Sequence, residues 1–195
     1  MPRIIREIGL WFVPVVLLVL APAGLRPAAA ESTLAMSGVG GAFSLVDDNG
    51  KPVTEKSWPG KLKLVFFGYT HCPGVCPMTL DKLSGVLKKL GPSAAKLQPL
   101  FVTTDPERDT PAVMKEYVGH FDPSIVGLTG GTAQIKAAED VYKVYAAKEE
   151  NPDGKDYTVD HSAYLYLMSP DDKLLEILDP DAAAEVMLKK LQAHL

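Results

Sequence analysis

The chain has 195 residues, 47% of them apolar, which suits one folded domain plus an N-terminal extra and excludes a disordered chain. Its net charge is −4 and it contains no basic block, which argues against a phosphate-binding surface and against nucleic acid as a partner. Two cysteines are too few for a disulfide framework, and a domain this large does not need one.

The N-terminus addresses the question of compartment. Arg3 and Arg6 precede an uncharged run from Ile8 to Leu25, which as a helix would span about 27 Å, close to the thickness of a bilayer core. Ala28-Ala29-Ala30 or Ala21-Pro22-Ala23 offers a small-residue cleavage site. Residues 1–30 therefore read as either a signal peptide that is removed or a single membrane anchor. Both outcomes export the remainder, because the arginines hold the N-terminus in the cytoplasm. A buried core helix fits poorly, since the run lacks a polar face. Residues 31–41, rich in glycine and small side chains, read as a flexible tether, and 42–195 as the folded domain.

Phe43 to Val46 alternates weakly, Asp47-Asp48-Asn49-Gly50 is a turn signal, and Lys51 to Thr54 returns as the second arm of a hairpin. Leu62 to Tyr69 looks like a strand buried on both faces. After the cysteine loop, Leu80, Leu83, Val86, Leu87 and Leu90 share one face of a helix over Thr79 to Leu90, which Gly91-Pro92 stops. Leu97 to Thr103 is a second apolar strand, and the order strand, helix, strand implies a right-handed crossover and a parallel pair. Thr110-Pro111 opens another helix with a cap and a proline in the first turn. Ile125 to Leu128 is a short strand. Thr132 to about Ala147 reads as a helix with Ile135, Ala138, Val141, Tyr142 and Tyr145 as its inner stripe, followed by a polar loop from Lys148 to Lys155. Ala163 to Met168 and Lys173 to Leu178 flank a turn as an antiparallel hairpin, and Ala182 to Leu191 closes the chain as a helix. The series describes an α/β domain of the thioredoxin type, with a central mixed sheet flanked by helices and an N-terminal hairpin extension.

Both cysteines lie in Tyr69-Thr-His-Cys-Pro-Gly-Val-Cys-Pro-Met78. Cys72 follows the first buried strand, and Cys76 stands just before Pro77 at a helix start, where free N–H groups and the helix dipole stabilise a thiolate. If the loop is helical, positions i and i+4 bring both sulfurs to one face. That spacing permits a disulfide, a redox pair or two thiolates on one soft cation such as copper(I). Spacing alone does not choose among them, although an exposed-looking turn in an exported protein argues against inert core cysteines.

Of the four histidines, His71 adjoins Cys72 but points away if the segment is extended. His120 sits at a helix end and His194 in the terminus. His161 follows a polar loop and precedes an apolar strand, from where it can reach the first helix start, with Asp160 beside it to orient the ring or balance charge. Asp105, Glu107 and Asp109 around Arg108 read as a solvated turn with an internal ion pair. Tyr142, Tyr145, Tyr157, Tyr164 and Tyr166 follow core periodicity, and Met78, one turn from the cysteines, reads as packing.

Phe67-Gly-Tyr-Thr-His-Cys-Pro-Gly-Val-Cys-Pro77, Thr104-Asp-Pro-Glu-Arg-Asp-Thr110, Val126-Gly-Leu-Thr-Gly130 and Val159-Asp-His-Ser162 together resemble the SCO1/SenC copper proteins in order and spacing, over about residues 38–180. The resemblance implies a thioredoxin-like fold, usually an N-terminal membrane anchor, and one copper ion per chain held by Cys72, Cys76 and His161, with Asp160 matching an acidic neighbour that influences the site. It also implies a part in maturing the binuclear copper centre of cytochrome c oxidase subunit II, with other periplasmic copper or thiol-redox proteins as further partners. The expected location is the periplasmic face of a bacterial inner membrane. Family members divide between delivering copper and reducing their partner's cysteines, so Cys72 and Cys76 are alternatively the redox pair of a thiol–disulfide oxidoreductase. One departure is Gly74, a position that is often acidic in relatives.

Overall fold

The computed structural model describes residues 38–151 and 155–195. The expected leader or anchor at 1–30 and most of the 31–41 tether lie outside the described residues. Among those described, no helix is long and apolar enough to cross a membrane. Gly40, at φ +90°, donates its N–H to the Val141 carbonyl at 2.7 Å, and a Cβ there would press on the Met168 side chain.

The domain is built on a seven-stranded mixed sheet. Its strands in chain order are β1 (Ser44–Asp47), β2 (Pro52–Thr54), β3 (Leu62–Gly68), β4 (Leu97–Thr103), β5 (Val126–Thr129), β8 (Leu165–Met168) and β9 (Leu174–Leu178); a separate two-stranded ribbon pairs β6 (Ala146–Glu150) with β7 (Tyr157–His161). The large sheet runs β2-β1-β5-β4-β3-β8-β9. β3, β4 and β5 are parallel, and β1, β2, β8 and β9 add antiparallel edges. This is the thioredoxin-like arrangement expected, including the N-terminal hairpin. Asp47 builds that hairpin's turn by accepting from the N–H groups of Asn49 and Lys51 at 2.9 and 2.8 Å.

Alternation along β3 explains the two cores. Leu64 and Phe66 face one side of the sheet, where helix α1 (Val75–Leu90), α2 (Pro111–Val118) and α4 (Ala184–Gln192) pack through Leu80, Leu83, Val86, Met114 and Met187. Val65 and Phe67 face the other, against Ile135, Ala138 and Tyr142 of helix α3 (Thr132–Tyr142). Every residue of β3 and β4 is buried, as a strand covered on both faces requires.

Three expectations need correction. The first helix begins at Val75, four residues before Thr79, because Pro77 falls in the first turn, where a missing N–H breaks no helical bond. Helix α3 stops at Tyr142, where Lys143 takes the left-handed conformation, and the segment read as helix end and polar loop becomes β6. Its charged, solvent-facing side chains hide the strand, since no apolar alternation marks it. Tyr145 and Tyr164 are correspondingly exposed, whereas Tyr142 and Tyr166 are core residues.

Candidate metal centre

The carboxyl end of β3 runs into the cysteine loop. Cys72 N–H donates to the Tyr69 carbonyl at 3.2 Å, closing a turn that leads directly into α1. No side chain caps α1; instead the Cys76 N–H points at Cys72 Sγ, 3.5 Å away. The sulfur thus occupies the place of a capping oxygen, at the positive end of the helix. Gly68 makes room for the other cysteine: a Cβ there would lie 2.6 Å from Cys76 Sγ and 2.8 Å from the Phe101 ring.

β7 brings His161 to the same place from 85 residues away. Its Nε2 lies 3.5 Å from Cys76 Sγ, and its Nδ1 lies 3.1 Å from the Ser162 carbonyl. Because a carbonyl only accepts, this pairing assigns the proton to Nδ1 and turns the Nε2 lone pair toward the sulfurs. The ring also meets Tyr69 edge-on, with centroids 5.7 Å apart. Both sulfurs and a ring nitrogen lie within 4.8 Å of one another. Two thiol sulfurs and an imidazole form a soft donor set that suits copper(I) or zinc better than a hard cation.

Both cysteines are free thiols, buried to different depths: Cys72 keeps 9% exposure and Cys76 none. Their acidities diverge accordingly. The Cys72 thiol is pulled down to about 4, first by the hydrogen bond from Cys76, with the N–H groups of Gly74 and Cys76 adding to it against the cost of burial. Cys76 is pushed well above the ordinary thiol range by that same hydrogen bond, by burial and by the charge on Cys72. The hydrogen bond thus favours the thiolate on Cys72 and the retained proton on Cys76.

The other sequence-derived candidates fall into different places. Asp160, neighbouring His161 on a strand, projects from the opposite face and is exposed; the ring takes its orientation from Ser162. His71 is half exposed and sits 3.1 Å from Thr70 Oγ1, His120 contacts the Tyr117 carbonyl, and His194 faces Glu176. Met78 is exposed. The 105–109 segment is no solvated turn: Asp105 and Asp109 are completely buried, although Arg108 does pair with Asp105. Asp109 accepts from Thr70 N–H at 3.1 Å and from the hydroxyls of Thr70 and Thr103, each at 2.6 Å, and so anchors the segment that enters the cysteine loop. Gly68, Tyr69, Arg108 and Asp109 escaped the sequence reading as site residues; the only signal for them was their presence in the conspicuous blocks around the cysteines and at 104–110.

The family model described as SCO1/SenC matches residues 31–195. The chain belongs to the SCO1/SenC family. Among solved SCO1/SenC structures, "Structure of Bradyrhizobium japonicum ScoI with copper bound" is 46% identical, with 80% of this chain and 99% of that one covered and a TM-score of 0.74. The yeast Sco1 structure with copper bound is 42% identical, covering 80% of this chain and 88% of its own, also at a TM-score of 0.74. The mitochondrial protein SCO2 of Saccharomyces cerevisiae is 41% identical over 162 residues, 80% of this chain and 54% of that protein. The chain spans about half to two-thirds of the length of the first curated SCO1/SenC relatives it matches.

Proposed function

We propose that this protein is an exported copper metallochaperone that binds one copper ion through Cys72, Cys76 and His161 and passes it to the thiols of a partner. The observation that carries the reading is the convergence of two free sulfurs and the Nε2 lone pair of a remote histidine at the carboxyl end of β3. The likeness to copper-bound relatives supports the choice of metal. Within this site Cys72 supplies a thiolate already formed, Cys76 gives up its proton on loading, and His161, held through Nδ1, offers a neutral imidazole. Release follows by ligand exchange: incoming thiolates of the partner replace the chain's own sulfurs one at a time. The family resemblance supports cytochrome c oxidase subunit II, with its binuclear copper centre, as the receiving partner, and the periplasmic face of the inner membrane as the place of action, with the domain anchored or released after leader cleavage. Asp160 adds negative charge near the ligand strand without touching the ring.

Anaerobic copper(I) titration of the reduced protein tests this, with Cys72→Ser, Cys76→Ser and His161→Ala measured beside wild type by competition with a copper(I) chelator. One-to-one uptake is expected, weakened by ~10-fold or more in each variant. Unchanged affinity in His161→Ala would remove the third ligand and with it the proposal.

The unequal cysteines favour a second reading. A low-pKa thiol with residual exposure beside a fully buried one is the arrangement of an attacking and a resolving cysteine. Cys72 would attack a partner disulfide and release one partner thiolate. Cys76 would then displace the second, leaving a Cys72–Cys76 disulfide. Reduction of a partner disulfide by copper-free His161→Ala protein at the wild-type rate is the outcome that favours this reading over delivery.

A further inference from the structure

His161 sits on an element that the large sheet does not hold. β6 and β7 pair only with each other, outside the hydrogen-bonded order of the seven strands. Beside the ribbon is a half-open pocket of about 200 Å³, lined by Ile135 and Glu139 of α3, Ala147 of β6, Val159 of β7, and Thr104 and Pro106. Val159 anchors the ribbon in the core, with Ala146 and Tyr157 packed against it, but the open pocket leaves the rest of the ribbon without close packing on this side. Polar contacts complete its placement.

The contacts that do so cluster at the start of β7. Arg108 Nη1 donates to Asp156 Oδ1 at 2.9 Å and to the Tyr157 carbonyl at 3.1 Å. The guanidinium lies 3.8 Å from the centroid of the Tyr157 ring. The Tyr157 hydroxyl donates to one oxygen of buried Asp105 at 2.8 Å, and Arg108 Nε pairs with the other. On β6, Lys148 pairs with Glu107 at 2.5 Å and stands 4.6 Å from the same tyrosine ring. The 105–108 segment thus grips both strands of the ribbon. Arg108 also stands 5.8 Å from the Tyr69 ring, whose edge meets His161. Its Nη2 is buried with no hydrogen-bond partner among the described residues, a cost that fits a guanidinium placed for its aromatic and strand contacts rather than for its own solvation.

We propose that Arg108, with Asp105 and Tyr157, is a latch that positions His161 by clamping the β6–β7 ribbon to the loop after β4. The inference rests on the copper-clamp reading for its consequence, and on geometry alone for the clamping. An extended strand transmits placement along its length, so freeing Tyr157 frees His161 four residues on. Arg108 contacts neither sulfur; it acts through the histidine.

Arg108→Lys and Tyr157→Phe in the full chain, each alone and combined with His161→Ala, provide the test. In the copper-free protein, amide hydrogen exchange at Val159, Asp160 and His161 should speed up by ~10-fold in each single variant, while the α1 amides keep their wild-type rates. Copper(I) affinity should fall by ~10-fold in each single variant and show no further fall once His161 is alanine. Unchanged exchange in the ribbon overturns the latch. Equal weakening of copper binding with and without His161 overturns the claim that the latch acts through that residue. If His161→Ala alone leaves copper affinity unchanged, the clamp reading fails, and the exchange rates still decide the latch. Tyr157→Phe keeps the ring and removes only the hydroxyl that meets Asp105, so it carries the test even if Arg108→Lys disturbs folding.

Discussion

At Gly68 a hydrogen atom stands where any other residue would place a methyl against Cys76 Sγ. The close approach explains why the chain passes through Phe67-Gly-Tyr at the end of a buried strand otherwise built of large residues. Gly68→Ala forces either the sulfur or the Phe101 ring to move, and overpacking of this kind costs about 1–3 kcal/mol. Thermal melting should show that loss. Copper(I) competition should show a weaker site as well, since the displaced atom is a proposed ligand. A variant that melts lower but binds copper as wild type does would mean that the ring, not the sulfur, gives way. The short spacing of the cysteines made their proximity readable, but not its geometry: Cys72 lies in the turn before α1 and meets Cys76 as its cap, not along a shared helix face. The third donor was not readable in that way. His161 lies 85 residues from Cys76; its place between a polar loop and an apolar strand made it a candidate, and the family resemblance made it the ligand.

Helix α3 shows how an element can hide a strained group. Glu139 falls on its buried face beside Ile135 and Ala138, and burial pushes its carboxyl up to about 7, with the Asp140 charge adding and Lys136 opposing. A folded pKa raised above the unfolded value near 4.3 gives stability that is complete below that value and lost as pH rises through 7. Glu139→Gln should therefore gain on wild type by about 1–3 kcal/mol between pH 5 and pH 8, and match it at pH 4. Denaturant melts of both proteins at three pH values would show the divergence; parallel curves would mean that Glu139 is solvated. The polar ribbon beyond this helix was the least legible part of the fold. Ala146–Glu150 carries helix-forming residues and charge, and only pairing with Tyr157–His161 makes it a strand.

Across the whole domain, Lys63 joins regions far apart in sequence. Buried in β3, its Nζ pairs with Asp172 in the turn between β8 and β9 and donates to the Glu55 carbonyl at 3.2 Å, just beyond the N-terminal hairpin. Lys63→Ala leaves Asp172, mostly buried, without its cation, at a cost of ~3 kcal/mol; Lys63→Met with Asp172→Asn should recover most of that stability, because both charges are then gone. Chemical denaturation of the three proteins checks this, and an equal loss in the double variant would assign the effect to packing. The sequence by itself determined β3, β4, the capped start of α2, the hairpins and the α/β class, since apolar runs between glycine and proline boundaries leave few other ways to bury them. It also determined that two thiols share a helix start. Tertiary structure alone decided that Asp105 and Asp109 are buried, that Arg108 grips the ribbon, and that an imidazole meets the sulfurs. These are contacts between segments, and no local periodicity encodes the distance at which distant segments come to rest.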